Sequence, residues 1–197
     1  MAGLHRFVLG ITRMMALLGG IVLTALILIT CLSILGRAAN TALHSDLVMG
    51  AMPGLAQALI DLGVGAIRGS YELVEAGMAF CIFAFLPFCQ VTAGHASVDV
   101  FTNMLPRGAN RVLEAVISVL FAVALVTVAV QLYEGTTRKM SSGQTSLLLE
   151  FPIWWAYMAS LVGAVLAAAA GVYMALLRLF EATTGRMVAP NAVGAKH

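Results

Sequence analysis

Charged residues are missing from four long stretches of this chain. Only 10% of its residues are charged, whereas a soluble domain has about 25%. The uncharged apolar runs cover residues 14–36, 76–94, 115–133 and 151–177. As a helix rising about 1.5 Å per residue, each run can cross a hydrocarbon core of roughly 30 Å. The sequence therefore predicts an all-α integral membrane protein with transmembrane helices near 14–37, 72–94, 112–134 and 152–179.

A soluble domain is also missing, because the four spans use most of the 197 residues. We expect a single four-helix membrane domain over residues 1–185, followed by a disordered cytoplasmic tail at 186–197. The first apolar run is longer than the 7–15 residues of a cleavable signal core, so we interpret it as a retained anchor. The net charge of +2 is too small to indicate nucleic-acid binding.

Ionisable residues are missing from the centres of the predicted spans. Every Asp, Glu, Lys, Arg and His lies at or beyond the end of an apolar run. Pumps and proton-coupled carriers usually keep such a residue near the bilayer midplane, and haem-binding bundles need axial ligands inside their helices. The cysteines are Cys31, Cys81 and Cys89, and the last two are too far apart on one helix to form a disulfide. We therefore predict no cofactor, no metal and no enzymatic activity.

Two pairs of polar residues border the second span. Glu72 and Glu75 lie one turn apart at its start, where they either interact with the helix dipole or anchor a partner, and the residues leave both interpretations open. His95 and Asp99 are four apart and could share a helix face beyond its end. Two ligands make a poor metal site, so we interpret this second pair as a structural polar contact.

Basic residues predict the orientation of the chain. With the N-terminus in the cytoplasm, the inner segments hold seven Lys or Arg residues and the outer segments hold four. Positively charged loops favour the cytoplasmic side, so both termini are predicted to lie there.

The segments between the spans predict short surface helices. In the first outer segment, residues 37–54 have the composition of a loop, whereas 55–67 has apolar residues spaced as on one helix face. That short helix is expected to lie flat at the interface or to fold back against the bundle. An ordinary loop stays open as the alternative, because Gly63 and Gly65 weaken a helix there. A second short amphipathic helix is predicted after Ser97, ending at Pro106. The second outer segment, 134–150, is polar and is expected to be a loop.

The fourth span has two distinctive features. Pro152 is predicted to occupy its first turn, and the aromatic residues that follow, including Tyr157, are typical of a membrane interface. Gly163, Ala167 and Gly171 recur every four residues, a spacing that allows close helix approach. This stripe either packs inside the chain or faces a partner, and we predict the partner.

An ordered set of motifs is similar to one membrane protein family. The set comprises the acidic residue Glu72 opening the second span, the His95-x-x-x-Asp99 element, the Leu105-Pro106 pair, and the Thr145 to Phe151-Pro152 and Tyr157 element before the fourth span. In order and topology it resembles the small permease subunit, DctQ-type, of tripartite ATP-independent periplasmic (TRAP) transporters. The long segment 40–68 departs from this pattern.

The resemblance implies a function that the missing charges allow. The chain would be a scaffold in the bacterial inner membrane that binds a large permease subunit holding the sodium and substrate sites. A periplasmic binding protein would deliver the substrate, commonly an organic acid. Glu72, Glu75, His95, Asp99, Pro106, Pro152 and Tyr157 would then have structural or partner-contact roles.

Two other classes of function remain open from the residues. One is a small self-sufficient membrane carrier or channel, which would need a polar path built from Thr, Ser and Gln. The other is a small membrane redox subunit. Flux through the reconstituted chain would identify the first, and its absorption spectrum and metal content would identify the second.

Overall fold

Six helices lie within the residues that the computed structural model describes, 2–92 and 107–184. They are α1 (Ala2–Leu43), α2 (Asp46–Ala51), α3 (Pro53–Asp61), α4 (Ser70–Val91), α5 (Arg107–Ser142) and α6 (Trp154–Thr184). Four of these, α1, α4, α5 and α6, are long and apolar enough to cross a membrane. The predicted all-α fold with four candidate spans and additional short helices is confirmed. His95, Asp99, Pro106, the second surface helix and the C-terminal tail lie outside the described residues.

Two of the long helices extend well past a hydrocarbon core. α1 has 42 residues and α5 has 36, which correspond to about 63 and 54 Å of helix against a core of roughly 30 Å. The loops predicted at 37–54 and 134–150 are therefore wrong over 37–43 and 134–142. Polar side chains there bond within the helix: Thr41 Oγ1 donates to the Arg37 carbonyl at 3.0 Å, and Thr136 Oγ1 to the Leu132 carbonyl at 2.7 Å. Composition alone thus gave too short a helix at both places.

The segment between α1 and α4 contains two short helices. The predicted loop at 46–54 is also wrong, because α2 covers most of it and Pro53 occupies the first turn of α3. The helix predicted over 55–67 starts earlier and ends at Asp61, shortly before Gly63 adopts a left-handed φ of 83°. In α3 the buried residue is Ala56, whereas Leu55 and Leu62 point away from the chain.

The last part of this segment is fixed to α1. Ser33 Oγ accepts a hydrogen bond from the Ile67 backbone N–H at 3.2 Å and lies 3.2 Å from Ser70 Oγ. Asn40 Nδ2 donates to the Val64 carbonyl at 2.7 Å. Gly36 allows this approach, because a Cβ there would overlap the Gly65 carbonyl. These contacts position the start of α4 beside α1.

The four long helices form an open row in the order α1, α4, α6, α5. Extensive contacts join α1 to α4, α4 to α6 and α6 to α5, and within the described ranges no other pair of long helices has a comparable contact. A closed four-helix bundle would also pack α1 against α5. A row one helix thick leaves much of α1 and α5 uncovered, including Leu17, Ile21 and Leu120.

Small residues allow α6 to pack closely between its two neighbours. Ala164, Ala167, Ala168 and Ala170 are buried. A Cβ on Gly163 would lie 2.9 Å from the Phe83 backbone of α4, and one on Gly171 would lie 3.0 Å from Cδ1 of Leu125 of α5. The prediction that the stripe of Gly163, Ala167 and Gly171 faces a partner is therefore wrong. The stripe packs inside the chain, because α6 has helices on both sides.

Candidate functional site: the loop end of the helix row

Glu72 connects α4 to the loop between α5 and α6. We use the name loop end for the region formed by residues 143–153 and the adjoining ends of α4, α5 and α6. Glu72 Oε1 accepts a hydrogen bond from the Leu148 backbone N–H at 2.7 Å, and Oε2 accepts one from the Leu149 N–H at 3.0 Å. Hydrogen bonds to an ionised carboxylate are stronger than neutral ones, and both of its oxygens are used here. Glu72 therefore anchors a segment 76 residues further along the chain.

The loop itself has a defined backbone. The Ser146 N–H donates to the Phe151 carbonyl at 2.9 Å, and the Ile153 N–H donates to the Gln144 carbonyl at 3.1 Å. Thr145 and Pro152 face each other as an isolated antiparallel bridge. Lys139 Nζ donates to Gln144 Oε1 at 2.6 Å and ties the loop to the end of α5. The loop is therefore held at both ends and at its tip.

The sequence predicted Pro152 in the first turn of α6, but the structure places it before the helix. α6 begins at Trp154. Pro152 lies two residues before that start and forms the bridge with Thr145. Its carbonyl still accepts a hydrogen bond from the Trp155 N–H at 3.1 Å. Proline suits this place because its own nitrogen has no hydrogen to leave unpaired.

Gly69 allows the Leu149 side chain to pack against the start of α4. Gly69 precedes the helix with a left-handed φ of 75°, which glycine adopts without steric cost. A Cβ at this position would overlap the side chain of Leu149. Together, Gly69 and Glu72 hold the loop by packing and by hydrogen bonding.

Tyr157 connects α6 to the far part of α5. A Cβ on Gly135 would lie 3.1 Å from Cε1 of the Tyr157 ring, so the glycine lets the ring lie directly against the α5 backbone. This contact supports the part of α5 that extends past the predicted span. Tyr157 and Glu72 line the same cavity near the loop.

This cavity has a volume of about 600 Å³, and we call it the Glu75 cavity. Its walls come from α4, the end of α5, the loop and the start of α6. The residues lining it include Glu75, Phe83, Leu132, Tyr157 and Ser160. Both Glu72 and Glu75 line the cavity, but the Glu72 carboxylate accepts hydrogen bonds from the loop, whereas Glu75 is exposed.

A cluster of buried charges joins α5 and α6 at the opposite end of the row. Arg178 Nη1 lies 3.0 Å from Glu114 Oε2 and 3.0 Å from Glu181 Oε2. The side chains of Arg178 and Glu181 are 8% and 6% exposed, and that of Glu114 is 33% exposed. This cluster was not predicted from the sequence. The i,i+3 spacing of Arg178 and Glu181 could have indicated an ion pair between those two residues. Nothing in the sequence pattern indicated that Glu114 would contact Arg178.

No metal-binding group of three or more His, Cys, Asp or Glu side chains occurs within 2–92 and 107–184. The contacts described above join helices and the loop to one another, and the Glu75 carboxylate is exposed at the cavity.

The comparisons with known proteins agree with the motif set. The family model "Tripartite ATP-independent periplasmic transporters, DctQ component" matches residues 26–182, which is most of the chain. No curated protein and no solved structure matches it. The match begins within α1, covers the other three long helices to Ala182, and includes Glu72, Pro152 and Tyr157. This multi-pass membrane chain therefore belongs to the DctQ component family of the tripartite ATP-independent periplasmic transporters.

Proposed function

We propose that this chain is the scaffold subunit of a sodium-driven, binding-protein-dependent transporter for organic acids. A large permease subunit holds the ion and substrate sites, and a periplasmic protein delivers the substrate. The proposal is supported by the family membership together with the charge pattern, because residues 14–36, 76–94, 115–133 and 151–177 contain no Asp, Glu, Lys, Arg or His. Ion coupling normally uses such side chains within the membrane.

The open row supports a scaffold role for a second reason. The outer side of α1, the helix at one end of the row, carries large exposed apolar side chains that recur as Leu17, Ile21, Leu28, Leu32 and Leu35. Lipid can cover such a face, and so can another set of membrane helices packing against it. An open row offers more surface to a large partner than a closed bundle of the same four helices does.

The proposed orientation places the chain in the inner membrane with both termini in the cytoplasm. Four spans return the chain to its starting side, and the seven-to-four distribution of basic residues favours the cytoplasm for that side. The loop end, with Glu72 and Glu75, then lies on the periplasmic side. It is there that a binding protein would approach the transporter.

The experiment substitutes polar residues of the spans in the assembled transporter. Thr24 and Thr127 donate to carbonyls of their own helices, at 2.8 and 2.9 Å. Thr24→Val and Thr127→Val should therefore leave the sodium dependence and the substrate preference of uptake unchanged in proteoliposomes. A matched control is the wild-type complex at the same subunit ratio. A changed sodium stoichiometry or substrate preference in either variant would contradict the scaffold role.

A further inference from the structure

Three polar groups at the Glu75 cavity have no hydrogen-bond partner within the described parts of the chain: the Glu75 carboxylate, Ser160 Oγ, and Ser146 Oγ in the loop wall. The Glu75 carboxylate is exposed at the cavity and makes no hydrogen bond or ion pair there. The Ser160 side chain is 1% exposed, lines the cavity, and its Oγ has no hydrogen-bond partner. Buried hydroxyls in folded proteins nearly always find a partner, so an unpartnered one in a cavity wall indicates a group that is supplied from outside.

Carboxylates line the cavity near the start of α4, and apolar side chains line the part further along the helix. Glu75 lies in the second turn of α4, whereas Phe83 lies eight residues further on, which is about 12 Å along the helix. Ala79 and Leu132 also line the apolar part, Leu147, Phe151 and Ile153 add apolar walls at the loop, and Ser160 contributes from the second turn of α6. A ligand that matches this order has a cationic group at one end, an oxygen acceptor next to it, and a hydrocarbon chain beyond.

We propose that the Glu75 cavity binds a phospholipid with a primary ammonium headgroup, of the phosphatidylethanolamine type, from the leaflet at the loop end. The ammonium lies against the Glu75 carboxylate. Ser160 Oγ donates its hydrogen to a phosphate or ester oxygen, and one acyl chain follows Ala79, Phe83 and Leu132 into the membrane. A volume of about 600 Å³ falls within the 300–1,000 Å³ that small-molecule sites usually have.

Charge and size favour this occupant over a side chain from another protein. A lysine inserted from a partner would neutralise Glu75, but its four-carbon stem would leave most of the apolar part of the cavity empty. An anionic lipid would fill the apolar part and would place a negative charge beside Glu75. The amine-bearing phospholipid satisfies both regions at once.

The test titrates lipids into the full-length chain, purified in detergent and stripped of lipid, and counts bound molecules by native mass spectrometry. The probes are phosphatidylethanolamine and phosphatidylglycerol with identical acyl chains. The wild type should bind the ethanolamine lipid about two- to fivefold more tightly, the range expected for a partly exposed ion pair. Glu75→Gln should reduce this preference to about onefold, whereas Ala79→Phe should weaken binding of both lipids by filling the apolar part.

Glu134→Gln is the matched control, because Glu134 is an exposed carboxylate on α5 that does not line the cavity. It should keep the wild-type preference. The proposal is overturned if the wild type binds both lipids equally, or if Glu134→Gln loses the preference as fully as Glu75→Gln does. It is also overturned if the large subunit, once added, protects Glu75 and expels the lipid, which would make the occupant a protein segment. The titration uses this chain alone, so its result is separate from that of the transport assay.

Discussion

Glu72 and Leu148 are 76 residues apart in the chain, and a 2.7 Å hydrogen bond from the Leu148 N–H to Glu72 Oε1 joins them. With the second bond from Leu149, it makes the start of α4 the attachment point of the α5–α6 loop. The acidic residue that opens the second span in the motif set thus has a defined structural task. It closes the loop end of an otherwise open row of helices.

Removing the Glu72 carboxylate should release this loop. Glu72→Ala leaves the N–H groups of Leu148 and Leu149 without their acceptor, so we expect a lower thermal unfolding temperature and faster proteolysis within residues 143–153. Limited proteolysis in detergent, followed by mass mapping of the cleavage sites, measures the effect. Glu75→Ala serves as the control, because Glu75 makes no hydrogen bond to the loop, and its cleavage pattern should match the wild type. Equal cleavage in both variants would contradict the anchoring role.

Glycine at position 163 should be needed for folding. A methyl group there would lie 2.9 Å from the Phe83 backbone, which cannot move aside as a flexible side chain can. We expect Gly163→Ala to destabilise the chain by about 1–3 kcal/mol, the usual range for overpacking. The yield of the isolated chain and its co-purification with the large subunit should fall together.

Gly20→Ala provides the comparison for that substitution. Gly20 also lies inside a long helix, but a Cβ there meets nothing within 4 Å. Alanine is the better helix former, so this variant should be neutral or slightly more stable. If Gly163→Ala left the yield unchanged and impaired only co-purification, α6 would present this stripe to the partner after all.

The buried charge cluster should contribute strongly to the α5–α6 contact. Arg178→Ala leaves Glu114 and Glu181 facing each other without the guanidinium, and loss of one member of a buried ion pair typically costs about 3–5 kcal/mol. Arg138→Ala removes a pair that is 3.9 Å long and largely exposed, so it should cost about 0–1 kcal/mol. Thermal unfolding of the two variants in the same detergent gives the comparison. Similar losses of stability would show that the cluster is not effectively buried.

The predicted membrane orientation can be tested by thiol labelling. In a chain whose three cysteines are replaced, Ser142→Cys should react with a membrane-impermeant reagent added to whole cells, after the outer membrane has been permeabilised if one is present. Gly108→Cys should not react. Both positions are exposed in the structure, so access differs only through the side of the membrane. Labelling of Gly108→Cys alone would invert the topology and would place Glu75 and its cavity on the cytoplasmic side.

Much of this fold follows from hydrophobicity, because a bilayer demands long apolar helices. The four uncharged runs located the four long helices correctly, but they could not give the true ends of α1 and α5. Those ends depend on polar contacts such as the bond from Asn40 to the Val64 carbonyl, which joins segments 24 residues apart. An apolar run marks only the part of a helix that can lie in lipid. The helix itself can extend further when polar contacts outside the lipid stabilise it.

The candidate site was only partly visible in the sequence. Glu72, Pro152 and Tyr157 were named from the motif set as structural or partner-contact candidates, and the structure places all three near the α5–α6 loop. Their separate tasks, and the difference between Glu72 and Glu75, depend on where a loop folds back, and one-dimensional spacing does not contain that information. The same holds for Glu114 and Arg178, which are distant in sequence and meet only because α5 and α6 run side by side.

The proposed scaffold role means that this chain is needed for transport but does not supply the transport site. Its most direct test is uptake of substrate into proteoliposomes that contain the large subunit alone, this chain alone, or both, with the binding protein added outside and a sodium gradient imposed. We predict sodium-driven uptake only with both subunits present. Sodium-driven uptake by this chain alone would contradict the account.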